Sequence, residues 1–172
     1  FQTPYAPMLA DAVHIPPPYC LRCSYGLTFP DCRLRCALAL EETILNMGPE
    51  TVSAFLAETV SGGTLAAYPP PPGYFDAIRK ICNAYDVLLI LDEVLCGMGR
   101  TGTLFACEQY GIAPDICAIA KGLGGGYQPI GATLCTKAIH DAILAGSGFF
   151  QHGHTYLGHP VACAAGLAVL ER

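Results

Sequence analysis

Charge is the scarcest property of this 172-residue chain, in which only 13% of the residues are Asp, Glu, Lys or Arg. Nine Lys and Arg against fourteen Asp and Glu leave a net charge of -5, and no basic run stands out that could neutralise a row of phosphates. Nucleic acid is therefore not an expected partner. Long apolar runs are missing too: no stretch approaches the roughly 20 residues of a membrane-spanning helix. The start, Phe1-Gln-Thr-Pro4, lacks a basic segment followed by an apolar one. A soluble cytoplasmic protein without membrane contact is the expectation. The chain opens without methionine and stops at Glu171-Arg172, inside an apolar-periodic stretch that starts near Val161, so it is expected to be a fragment. The phosphate-loop pattern with Gly-Lys-Ser or Gly-Lys-Thr is absent as well.

Apolar residues are plentiful, at 52%, which at this length suits one domain around a largely buried sheet. Cysteine is also plentiful. Cys20-Leu-Arg-Cys23 and Cys32-Arg-Leu-Arg-Cys36 outline a four-thiolate zinc site, and a cysteine-rich zinc-binding structural module is the rival reading from another functional class. Three residues intervene in the second pair and eight residues separate the pairs, while Leu34 and Leu38 give the second pair a helical, core-facing look. The other six, Cys82, Cys96, Cys107, Cys117, Cys135 and Cys163, lie in apolar stretches where free cysteine acts as a small hydrophobe. Disulfides are not expected in a reducing compartment, and no metal is expected.

Residues 1–30 are rich in proline and aromatics and read as an irregular segment. Asp31 is placed to cap a helix over 32–47, which stops at Gly48-Pro49. Residues 52–60 read as a short buried strand, 62–73 as a loop and 74–85 as a helix. Strands follow at 87–91, 116–120 and 132–135, with a short helix at 103–110. This alternation predicts an α/β fold with a mostly parallel sheet covered by helices on both faces. In such sheets functional groups gather at the carboxyl ends of strands.

Two side chains fall at those ends. The run Val87-Leu-Leu-Ile-Leu91 delivers Asp92 and Glu93, and the run Asp115-Ile-Cys-Ala-Ile-Ala-Lys121 delivers an amine ahead of Gly122-Leu-Gly-Gly-Gly126. Asp92 alone reads as a turn former after a strand, and Lys121 alone as a lysine whose stem lies on apolar surface. Together they are the pair a pyridoxal phosphate (PLP) enzyme needs, a lysine for the Schiff base and an acid to hold the ring nitrogen protonated. The glycines after Lys121 would let backbone approach a planar ligand. Gly97-Met-Gly-Arg-Thr-Gly102 matches a dinucleotide fingerprint only formally, since Asp92 to Cys96 intervene between strand and glycines. His152 and His154 have no carboxylate close in sequence to complete a metal site, whereas Thr155, near an expected helix start, could offer a hydroxyl and amide to phosphate.

The stretches Leu91-Asp-Glu-Val-Leu-Cys-Gly-Met-Gly-Arg-Thr-Gly102, Ala120-Lys-Gly-Leu-Gly-Gly-Gly126, Pro129-Ile-Gly-Ala132 and residues 152–165 resemble the class III aminotransferases. These are fold type I PLP enzymes that include omega-amino acid, ornithine and 4-aminobutyrate transaminases. The resemblance implies that residues 1–172 are part of the PLP-binding large domain, with an upstream phosphate loop, a ring-stacking aromatic and a C-terminal small domain outside the chain, so that this piece alone is inactive. It implies that Lys121 carries the internal aldimine and Asp92 binds the pyridine nitrogen. Val94 would pack on a ring face, and Thr155 would reach the phosphate of a neighbouring subunit across a homodimer interface. Glu58 matches a glutamate near the family's active site, with Thr59 in place of the usual proline. Met98 and His154 stand where phenylalanine is frequent. The implied activity is ping-pong transfer of an amino group from an amine or omega-amino acid to a 2-oxo acid or aldehyde, with a 1,2-aminomutase or a decarboxylating transaminase as alternatives on the same fold.

Overall fold

The computed structural model of the protein describes residues 12–63 and 65–172. Four strands, β1 (Ala54–Glu58), β2 (Leu88–Asp92), β3 (Ile116–Ile119) and β4 (Ala132–Cys135), form one sheet in chain order. β1, β2 and β3 run parallel and β4 runs antiparallel to β3, so the sheet is mostly parallel, as expected. Four helices accompany it: α1 (Arg35–Met47), α2 (Tyr74–Ala84), α3 (Lys137–Ala145) and α4 (Pro160–Leu170). No described helix is long and apolar enough to cross a membrane.

The period-two alternation of a strand decides what each residue of β2 meets. Leu89 and Leu91 are fully buried beneath α1 and α2, where Ala37, Leu40, Ile44, Phe75 and Ile78 form the main core. Leu88, Ile90 and Asp92 point the other way. On that second face Leu56, paired with Ile90, is 65% exposed and Leu88 is exposed as well. The helical cover expected on both faces is therefore complete on only one among the described residues.

Several local expectations shift. The irregular segment at the start is seen from residue 12 on, with a 3-10 turn at Cys20–Arg22, while residues 1–11 lie outside the described residues. α1 begins at Arg35, and Asp31 does not cap it. The chain is wound into turns from Thr28 to Arg35, with Cys32 N bonded to Thr28 O and Arg35 N to Cys32 O, so Leu34 occupies the cap position in a left-handed conformation. The helix expected over 103–110 contracts to a 3-10 turn at Ala106–Tyr110. α3 answers to no element expected from sequence.

Candidate active site

The parallel register sets three carboxyl ends side by side. Glu58, the last residue of β1, pairs with Asp92, the last of β2, and Asp92 pairs with Ala118 of β3, three residues ahead of Lys121. Neighbouring strands are about 4.8 Å apart, so the Glu58 and Asp92 side chains leave one face of the sheet as neighbours. Asp92 Oδ1 accepts a 2.9 Å bond from the Val94 amide. That is the turn-forming role of an aspartate after a strand, and it leaves Oδ2 without a protein donor among the described residues. The same bond holds Val94, half-buried, beside the carboxylate. Glu58 Oε1 accepts from the Gly62 amide at 3.1 Å.

Lys121 opens a 3-10 turn, Lys121–Gly124, that directly follows β3. Its φ of 46° lies in the left-handed region, where a non-glycine residue is held only when its surroundings dictate it. The turn it opens is closely packed. A Cβ on Gly122 would come 3.0 Å from Met98 Cβ, and one on Gly125 would come 3.0 Å from Val169 of α4. The glycines after the lysine thus serve close packing of the turn on the 97–98 loop and on α4, a role that reading them as room for a ligand had missed. Lys121 itself is exposed, and its amine has no hydrogen bond or ion pair among the described residues.

Thr155 is not at a helix start. It lies in an exposed turn five residues before α4, whose N-cap is His159, with Nδ1 accepting from the Ala162 amide at 3.4 Å. No described contact joins Thr155 to Asp92 or Lys121. His152 and His154 stack edge to face with ring centres 5.1 Å apart. Cys20, Cys23, Cys32 and Cys36 all line one small cavity of about 20 Å³, yet among the described residues no three His, Cys, Asp or Glu side chains are placed to hold a metal ion. All ten cysteines are free thiols.

Two functional candidates escaped the sequence reading. Glu93 is 0% exposed and accepts bonds from Thr59 Oγ1 at 2.9 Å, the Ala106 amide at 2.7 Å and the Cys107 amide at 2.7 Å. Thr59 is equally buried. The signal was available in principle: in a strand that turns Leu89 and Leu91 inward, Glu93 shares their parity and Asp92 does not. Burial, and then the charge of Glu93, push the Cys107 thiol up to about 12, and burial followed by Glu93 does the same for Cys117. These thiols stay protonated and are not nucleophiles.

A cavity of about 630 Å³ is lined by residues 12–18, β1 and α1 among others, with Glu58 in its lining and neither Asp92 nor Lys121. Asp92 and Lys121 lie at the end of β2 and just after β3 instead. A carboxylate oxygen without a protein donor suits a protonated pyridine nitrogen, and an unpaired amine suits an aldehyde, so the residues present fit PLP.

Comparison with known proteins agrees with that geometry. The family model described as Aminotransferase class-III matches residues 1–172. An aminotransferase of Gibberella zeae is 55% identical over 76% of this chain and 25% of its own length. Gamma aminobutyrate transaminase 2 of Solanum lycopersicum is 46% identical over 96% of this chain and 38% of its own. Among solved structures, an amine transaminase from an uncultivated Pseudomonas species, in the PLP-bound (internal aldimine) form, superposes with a TM-score of 0.85 at 42% identity, covering 91% of this chain and 36% of that one. The chain belongs to the class III aminotransferases, enzymes of the PLP-dependent fold type I class. It spans 25% and 38% of the two curated relatives' lengths.

Proposed function

We propose that the protein containing this chain is a PLP-dependent transaminase, moving an amino group from an amine or omega-amino acid to a 2-oxo acid or aldehyde in two half-reactions, and that residues 1–172 are part of its PLP-binding large domain. The observation that carries the reading is the delivery of Asp92 and Lys121 by adjoining parallel strands to the same end of the sheet. PLP, when bound, withdraws electrons from the substrate carbon next to the transferred nitrogen. Lys121 Nζ would be the covalent anchor and, once displaced by the amino donor, the base that carries a proton from that carbon to the C4' carbon of the cofactor. Asp92 Oδ2 accepts the ring N–H and holds its positive charge, while Oδ1, tied to the Val94 amide, keeps the carboxylate from turning away. Val94 packs on the ring, Glu58 borders the substrate side, and Thr155 holds phosphate.

Thr155 does so for a neighbouring subunit, in a homodimer whose sites lie at the interface. The exposure of Tyr156, Leu157 and Val161 around that turn supports a surface that is covered in the assembly. Ten free thiols support a reducing compartment, the cytoplasm by this reading. Lys121→Ala in the full-length protein tests the assignment. The visible absorbance of lysine-bound PLP, and its fixation by borohydride, should disappear; a variant that keeps both overturns it.

A further inference from the structure

We infer that Glu93 is a positioning residue that fixes Asp92 against the cofactor ring nitrogen, and that the Thr59 hydroxyl completes the clamp. The inference rests on the assignment of Asp92 to that nitrogen. An aspartate carboxylate is two rotatable bonds from its backbone, so its placement is inherited from the peptide that carries it. That peptide is held on two sides, and the one after it on a third. Thr59 N reaches Asp92 O at 3.4 Å from β1, Glu93 N reaches Ala118 O at 2.9 Å on β3, and Gly97 N reaches Glu93 O at 2.9 Å from the following loop. The loop can come this close only as glycine, because a Cβ at Gly97 would stand 2.8 Å from Glu93 O and 3.2 Å from its Oε2.

The side chain of Glu93 then locks the arrangement from inside the core. A carboxylate with no exposed surface and no cation beside it among the described residues is costly unless its oxygens are filled. Here three donors fill them: two amides of the 106–107 turn and the Thr59 hydroxyl. All three groups donate, so both oxygens of Glu93 serve as acceptors and the side chain is held in one orientation. Thr59 stands where the family usually has proline, which has neither an N–H for Asp92 O nor a hydroxyl for Glu93. In this chain, therefore, the β1 side of the clamp is made by Thr59.

The test uses the full-length protein reconstituted with PLP labelled with nitrogen-15 in the ring, in Thr59→Val, Thr59→Ser and Glu93→Gln forms. Thr59→Val keeps shape and removes one bond to a charged acceptor; it should weaken PLP retention roughly tenfold and move the ring nitrogen resonance toward the unprotonated position. Glu93→Gln should do both more strongly, and Thr59→Ser should restore wild-type values. A wild type that binds no PLP would defeat the transaminase reading itself. A wild type that binds PLP, with a Thr59→Val form that loses thermal stability while keeping the wild-type ring nitrogen resonance and PLP affinity, would show a merely structural bond and overturn the positioning role.

Discussion

α2 and α4 are each 11 residues long, and they have opposite fates. α2 is amphipathic and buries Tyr74, Phe75, Ile78, Ile81 and Cys82 against the sheet. α4, Pro-Val-Ala-Cys-Ala-Ala-Gly-Leu-Ala-Val-Leu, is apolar all round and buries only Ala162 and Gly166. A helix that is apolar on every side belongs inside a protein. The one side of α4 that is packed rests on the Lys121 turn and its surroundings, where a Cβ on Gly166 would come 3.3 Å from Ile130 and one on Gly125 would come 3.0 Å from Val169. The cored half of the chain thus carries Asp92 from within, whereas the Lys121 turn is buttressed by a helix that is itself mostly exposed.

That contrast can be broken by measurement. In the full-length protein Phe75→Ala should cost about 3–5 kcal/mol, read from the denaturant midpoint at constant slope. Leu167→Ala, at a position 59% exposed in this chain, should nonetheless cost about 2–4 kcal/mol if a helix apolar on every side is covered in the full-length protein. A loss below about 0.5 kcal/mol would make α4 a true surface helix. Asp115→Ala should cost about 1–3 kcal/mol, since Oδ2 takes both Arg79 Nη1 and the Leu89 amide at 2.7 Å and joins α2, β2 and the start of β3.

Alkali probes the buried thiols, Cys107 in the main core and Cys117 in the smaller cluster with Leu123. Cys107 and Cys117 are pushed from 9.0 up to about 12, so between those values the unfolded chain gives up protons that the folded chain keeps. Their contribution is fully present below about pH 9 and is lost as pH rises toward 12. The melting temperature should fall over that window, and Cys117→Ala should flatten the fall. The smallest effect is expected at the edge of the other half. Lys137→Ala breaks an exposed ion pair with Asp141 on α3 and should leave the melting temperature within error.

What the sequence disclosed followed burial. The runs at β2 and β3 were legible because they are continuously apolar and end in Asp92 and just ahead of Lys121, and α2 because its apolar residues recur at helical spacing. α3 was not, since none of its residues is buried and its pattern has nothing to pack on within the chain. The contraction of the 103–110 helix was hidden for another reason. The group that organises its first amides is Glu93, more than a dozen residues upstream, and no local propensity reports so distant a carboxylate. The direction of β4 was equally invisible, because alternation in one strand says nothing of its neighbour's sense.

The left-handed backbone of Lys121 sets stability and chemistry against each other. A residue with a Cβ spends about 1–2 kcal/mol in that conformation, and glycine would relieve it. Lys121→Gly is therefore a substitution that selection for a firmer fold would favour and that selection for an amine must reject. On the proposed role of Lys121, the position marks where this chain gives up robustness to keep a reactive group, and a stabilised variant should be sought elsewhere.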